Sequence, residues 1–86
     1  MRELRWSPLK SERLKRTRGV SFEELIRARL VAVKEHPTRA HQRVMLFDHQ
    51  GYIWVVPCVT QGDEIFLQTL YPSRKYTKLY RRGETP

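Results

Sequence analysis

At 86 residues the chain has room for one domain, spanning 1–86, and one modest core. Its 17 Lys and Arg against 9 Asp and Glu leave a net charge of +8, which points to a polyanionic partner. No stretch approaches the ~20 apolar residues that cross a bilayer, the opening Met1-Arg2-Glu3-Leu4-Arg5-Trp6 carries no hydrophobic signal region, and a lone cysteine excludes an internal disulfide, so a cytoplasmic protein without membrane contact is expected.

Leu4-Arg5-Trp6 reads as a short first strand. Ser7 is placed to cap a helix with Pro8 in its first turn, and that helix is predicted to run to Arg18 and stop at Gly19. It is poor in apolar residues, with only Leu9 and Leu14, and rich in cations: Lys10, Arg13, Lys15, Arg16 and Arg18. The next helix has the clearest start signal. Ser21 and Glu24 form an S-x-x-E capping box, and Val20 and Leu25 are spaced as a hydrophobic staple across it. Phe22, Leu25, Ile26 and Leu30 give an apolar stripe at helical spacing, read as core.

From Leu30 the pattern turns to strands: Leu30–Val33, Arg43–Phe47, Tyr52–Val59 and Ile65–Tyr71. Asp48-His49-Gln50-Gly51 and Gln61-Gly62-Asp63 read as the turns between them. Pro72-Ser73 opens a last helix carrying Tyr76, Leu79 and Tyr80 among Arg74, Lys75, Lys78, Arg81 and Arg82. The order β-α-α-β-β-β-β-α, with helices and strands in blocks, predicts an α+β fold: an antiparallel sheet with the early helices on one face and the other face partly open.

Metal chemistry is not signalled, and no metal or other cofactor is expected. His36, His41 and His49 share no ligand spacing with one another or with Cys58, which sits in an apolar run and reads as an inert core thiol. The basic residues are more informative because they cluster: in the first helix, along Lys34, His36, Arg39, His41 and Arg43, and from Arg74 to Arg82 with Tyr76 and Tyr80 interleaved. Cations for phosphate and aromatic faces for bases are what single-stranded RNA recognition uses. RNA cleavage needs little more, because the substrate's own 2′-hydroxyl is the nucleophile and arginine or lysine can stabilise charge on the phosphate.

Three strings in order resemble one family. Arg5-Trp6-Ser7-Pro8-Leu9-Lys10 is similar to the W/F-D-P-x-K opening of BrnT-type toxins, with Ser7 in place of their aspartate. Arg18-Gly19-Val20-Ser21-Phe22-Glu23-Glu24 is similar to their H/R-G-V/I-S-F-E-E segment, and Ile65-Phe66-Leu67 leading to Pro72-Ser73-Arg74-Lys75 is similar to their closing strand and S-A-R-K/R helix start. The resemblance implies a RelE-like fold: two N-terminal helices on a small antiparallel sheet, with a C-terminal helix. It implies the toxin of a type II toxin–antitoxin system, a ribonuclease that blocks translation. The implied partner is an antitoxin, often with a ribbon-helix-helix DNA-binding part, in a hetero-oligomer. Phe66, Gln68 and Thr69 stand where relatives often carry arginines ahead of the helix.

The expected site lies on the open sheet face between the first helix, the start of the Arg43 strand and the last helix. Arg74, at the strand-to-helix junction and matching the family arginine, is the phosphate-stabilising candidate. Lys10, Arg43 and Lys75 are the further RNA contacts. His36 is the candidate proton carrier, since histidine is the side chain that changes charge near neutral pH. Tyr80 is a stacking or proton-handling candidate. The alternative is a non-catalytic RelE/ParE-like protein that binds nucleic acid or another target.

Overall fold

The computed structural model describes residues 3–84. In chain order they form β1 (Glu3–Arg5), α1 (Pro8–Arg18), α2 (Phe22–Ile26), β2 (Arg29–Glu35), β3 (Gln42–His49), β4 (Tyr52–Gln61), β5 (Glu64–Leu67), β6 (Tyr71–Pro72) and α3 (Arg74–Arg81). The result is an α+β fold with one mixed sheet and three helices. Its radius of gyration is 12.7 Å, near the ~12 Å of a compact chain this long. No described helix is long and apolar enough to cross a membrane.

The local signals explain the helix ends. Ser7 Oγ accepts from the Lys10 amide, Pro8 occupies the first turn, and Gly19 closes α1 in the left-handed region at φ 82°. The Ser21–Glu24 box forms in both directions: Ser21 Oγ accepts from the Glu24 amide at 3.2 Å, and Glu24 Oε1 accepts from the Ser21 amide at 3.1 Å. α2 is shorter than the apolar spacing predicts. It ends at Ile26, and Leu30 is not part of its stripe but lies on β2 with about half its surface exposed. The β3–β4 hairpin turns on two residues only, Gln50 at φ 56° and Gly51 at φ 82°, a pair of positive values that matches the twist of its strands. Asp48 Oδ1 accepts from the Gly51 amide and holds that turn.

The sheet order is β1-β5-β4-β3-β2, with β6 also pairing β4. It corrects the predicted antiparallel sheet in two ways: β1 runs parallel to β5, and β6 adds a strand between β5 and the last helix. A bulge at Val31 puts Leu30 opposite Phe47 and Ala32 opposite Leu46.

Strand alternation divides the core. On one face Met45, Phe47, Trp54, Val56, Cys58 and Leu67 pack with Leu14, Val20, Phe22 and Leu25 from the α1–α2 segment. On the other, Leu46, Ile53 and Val55 pack with Tyr76 and Tyr80 of α3. Ser73 caps α3 by accepting from the Tyr76 amide. Thr77, 3% exposed, donates to Ser73 O at 2.6 Å and accepts the Ile53 amide of β4 at 2.9 Å. The Ser73 amide donates in turn to Ile53 O. These bonds fix the start of α3 on the centre of the sheet. α1 and α3 therefore lie on opposite faces, which corrects the expectation of a single site between them.

Candidate nucleic-acid interface

The string that carries most of the family resemblance is structural here. Glu23 accepts from Trp6 Nε1 at 2.8 Å and from the Ser11 hydroxyl, while Ser11 Oγ accepts the buried Phe22 amide at 3.0 Å. Ser11 is thus a buried polar residue with its bonding satisfied, and it ties α1 to the start of α2. Glu24, besides its cap, meets Lys15 Nζ at 2.7 Å. Both carboxyls are held below the usual range: Glu23 chiefly by the Ser11 hydrogen bond, Glu24 chiefly by Lys15.

The site candidates separate onto two surfaces. Lys10 sits on α1, with Arg13 and Arg16 exposed on the same helix and unpaired with any acid among the described residues. α3 carries the second surface. Its exposed outer groove is lined by Arg74, Lys75, Lys78, Leu79 and Arg82. Arg74, Lys78 and Arg82 fall at i, i+4 and i+8, a single row of cations along the helix. Leu79 faces this groove, and Thr77 takes the inward position.

Where the N-terminal end of α3 meets the loop after β2, a cleft of about 310 Å³ opens. Lys34, His36, Val44, Pro57, Gln68 and Tyr76 are among its lining residues. The Lys34 ammonium lies 5.2 Å from the Tyr76 ring centroid, and that of Lys75 lies 5.8 Å from it. Three members of this group carry little signal in the sequence. Lys34 belongs to a basic cluster of the sequence without standing out in it, Tyr76 is one of two tyrosines among the α3 cations and also joins the core, and Gln68 stands out only as a missing arginine. The side of the sheet that Lys34 takes follows from its register with Val44, which the bulge at Val31 hides from simple alternation.

Arg43 contributes to the cleft wall, but it alternates with Met45 and Phe47 and stands opposite Glu35 in the register. Its guanidinium accordingly belongs to the α1–α2 side, where Nη2 lies 3.8 Å from Glu35 Oε1 and the buried Nε has no partner among the described residues. Arg43 thus lines the cleft with His36 and Tyr76 while its guanidinium turns toward Glu35. Cys58, opposite it on β4, is buried, and burial pushes its thiol up, so it stays a protonated packing group.

His36 Nδ1 accepts from the Thr38 and Arg39 amides at 3.2 and 3.1 Å. With Nδ1 accepting, Nε2 carries the N–H and presents a donor fixed in direction. A ring held this way stabilises negative charge. The geometry gives the ring a donor role at Nε2. Tyr80 is also committed: its hydroxyl donates to Asp48 Oδ2 at 2.9 Å, and that carboxylate pushes the phenol up. Tyr80 lies one helical turn past Tyr76, ~6 Å further along the axis, at the hairpin end of the sheet. The structure thus brings together Lys34, His36, Lys75 and Tyr76. It leaves Lys10 on the other side of the sheet, Arg74 on the outer groove of α3, and Tyr80 on the hairpin.

Among the described residues no three His, Cys, Asp or Glu side chains converge as metal ligands. Comparison with known proteins returns no match, whether against family models, curated proteins or solved structures.

Proposed function

We propose that this chain is the toxin of a type II toxin–antitoxin pair, a RelE-like, metal-independent endoribonuclease that acts on cytoplasmic RNA and is neutralised by an acidic antitoxin. The observation that carries the reading is the cleft at the end of α3, lined by Lys34, His36 and Tyr76, with the Lys75 ammonium reaching the same ring from the adjoining helix groove, on a protein of net charge +8. Those groups suit transesterification by the RNA's own 2′-hydroxyl. Lys34, Lys75 and His36 Nε2–H would stabilise charge on the phosphate, the term that usually contributes most to such catalysis. The outer row of Arg74, Lys78 and Arg82 would hold the flanking phosphates. The BrnT resemblance supplies the expectation of an antitoxin with a ribbon-helix-helix part.

Expression of the chain without a partner should arrest growth, and the purified protein should cut RNA in the presence of a chelator. Arg74→Ala should relieve the arrest while leaving the fold intact. Arg74 would hold a flanking phosphate, so its loss should act by weakening RNA binding about tenfold, whereas Lys75→Ala removes a contact to the reacting phosphate and should cost on the order of 10²-fold in rate. Full toxicity of Arg74→Ala at equal expression would remove Arg74 from the site. Absence of both arrest and cleavage by the unaltered chain would overturn the ribonuclease reading. The second reading, an RNA or target binder without catalysis, is favoured by one observation: the two residues expected to handle protons, His36 and Tyr80, are both bound to other groups. RNA binding with no cleavage products would select it.

A further inference from the structure

We infer that the cleft at the N-terminal end of α3 is a mononucleotide subsite, taking one nucleobase against the Tyr76 ring and the attached phosphate between Lys34 and His36. The inference rests on the RNA-directed reading above and adds the unit that is recognised. The volume, about 310 Å³, lies at the lower end of the ~300–1,000 Å³ of small-molecule pockets, which suits one nucleotide and no second. Glu35 also lines the cleft, with its carboxylate turned to Arg43 at 3.8 Å, and the rest of the wall divides by chemistry. Val44, Pro57 and the Tyr76 ring are flat or apolar, as a base needs. Lys34 and His36 supply a mobile cation and a donor whose direction is set by the two amides on Nδ1. Gln42 and Gln68 each offer an amide donor and acceptor for a base edge.

The contacts made without a ligand fit the same occupant. Lys34 and Lys75 are not paired with any carboxylate among the described residues, and both ammoniums rest near the Tyr76 ring. A base stacked on an aromatic ring is held more strongly than an exposed ammonium over it. An arriving nucleotide therefore exchanges the ammonium over the ring for its base, and the released ammonium meets the phosphate in a charge-assisted bond. Neither half of the ligand alone gains both terms, so the subsite should discriminate against inorganic phosphate and against nucleosides.

The test is a titration of the full chain, followed by amide NMR shifts, with ribonucleoside 3′-monophosphates, the parent nucleosides, inorganic phosphate and a twelve-nucleotide RNA. At least one nucleotide should bind about tenfold or more tighter than either half, with shifts confined to residues 34–44, 57–58, 68 and 73–76. Lys34→Ala should weaken that binding about tenfold. Arg16→Glu, on the opposite side of the sheet, should leave it unchanged. Phosphate binding as tightly as the best nucleotide, or shifts centred on α1, would overturn the subsite. So would saturable binding of the RNA together with no nucleotide binding, an outcome that leaves the RNA reading standing. Failure of the RNA itself to bind would remove that reading and the subsite with it.

Discussion

Thr77→Val tests how α3 is held. Valine keeps the shape of threonine and has a similar helix propensity, so neither packing nor α3 itself should change much. The altered group is the hydroxyl, which donates to Ser73 O and accepts the Ile53 amide. Ser73 O keeps a partner, since it also accepts the Thr77 amide at 3.1 Å. The Ile53 N–H does not, and a buried unpaired donor costs about 1–3 kcal/mol. The extra buried methyl returns at most ~0.8 kcal/mol. A net loss of roughly 1–2 kcal/mol follows, and a domain of this size shifts by ~4–8 °C per kcal/mol. Thermal unfolding should therefore occur about 4–16 °C lower. Denaturant unfolding should show a lower midpoint at unchanged slope, and the Ile53 amide should lose protection against hydrogen exchange. A stability loss under ~0.5 kcal/mol with Ile53 still protected would refute the argument, because it would mean that water or a backbone shift satisfies that amide.

Acid should weaken the α1–α2 junction. Glu23 and Glu24 are held below their ordinary values in the fold, so their stabilisation is complete above the unfolded value near 4.5 and is lost as pH falls through the lowered folded values. Ser11→Ala removes the main cause at Glu23, and urea midpoints measured from neutral pH to pH 3 should fall less steeply for that variant. Tyr80→Phe breaks the bond to Asp48 and should lower the urea midpoint. Because the Tyr80 phenol is raised, its stabilisation is full below pH 10 and is lost as pH climbs through the folded value, a loss the phenylalanine variant lacks. If Tyr80→Phe abolishes RNA cleavage at unchanged stability, Tyr80 belongs to the chemistry after all. RNA affinity should fall linearly with the logarithm of salt concentration. A flat response between low and moderate salt would contradict an electrostatic interface.

Caps and turns were readable because their causes are local. Ser7, Ser21 with Glu24, and Gln50-Gly51 act on backbone groups within four residues. The side of the sheet that each helix takes is not local. α1 has little periodic apolar signal: Leu9 is 79% exposed, and the helix is anchored by Leu14 and by Ser11, whose polar contacts no hydrophobic pattern reveals. The parallel β1–β5 pairing rests on three residues whose partners lie some sixty positions away, and β6 rests on two. The bulge at Val31 shifts the alternation of β2 by one place, so the residues facing α3 could not be counted from its start. The site inherited these errors. Arg74 stands at the head of α3, where its junction position puts it, whereas the pairing of Arg43 with Glu35, which turns its guanidinium away while Arg43 still lines the cleft, depends on a register the sequence does not reveal.

The division of charge between two faces bears on how an acidic partner would act. The cations of α1 and those of α3 are separated by the sheet and its two core layers. A partner that blocks RNA by direct competition must reach the α3 surface, because covering α1 alone leaves Lys34, Lys75 and Tyr76 open. A partner seated only on α1 would act through net charge, and at physiological ionic strength that field decays within about 8 Å. Such a partner would slow encounter with RNA without closing the cleft. Complete neutralisation therefore requires acidic side chains at the N-terminal end of α3. Charge reversal at Lys34 and Lys75 should then weaken antitoxin and RNA together, while reversal at Arg13 and Arg16 should change antitoxin affinity and leave nucleotide binding as it was. Loss of nucleotide binding on reversal at α1 would mean that the two faces are not independent.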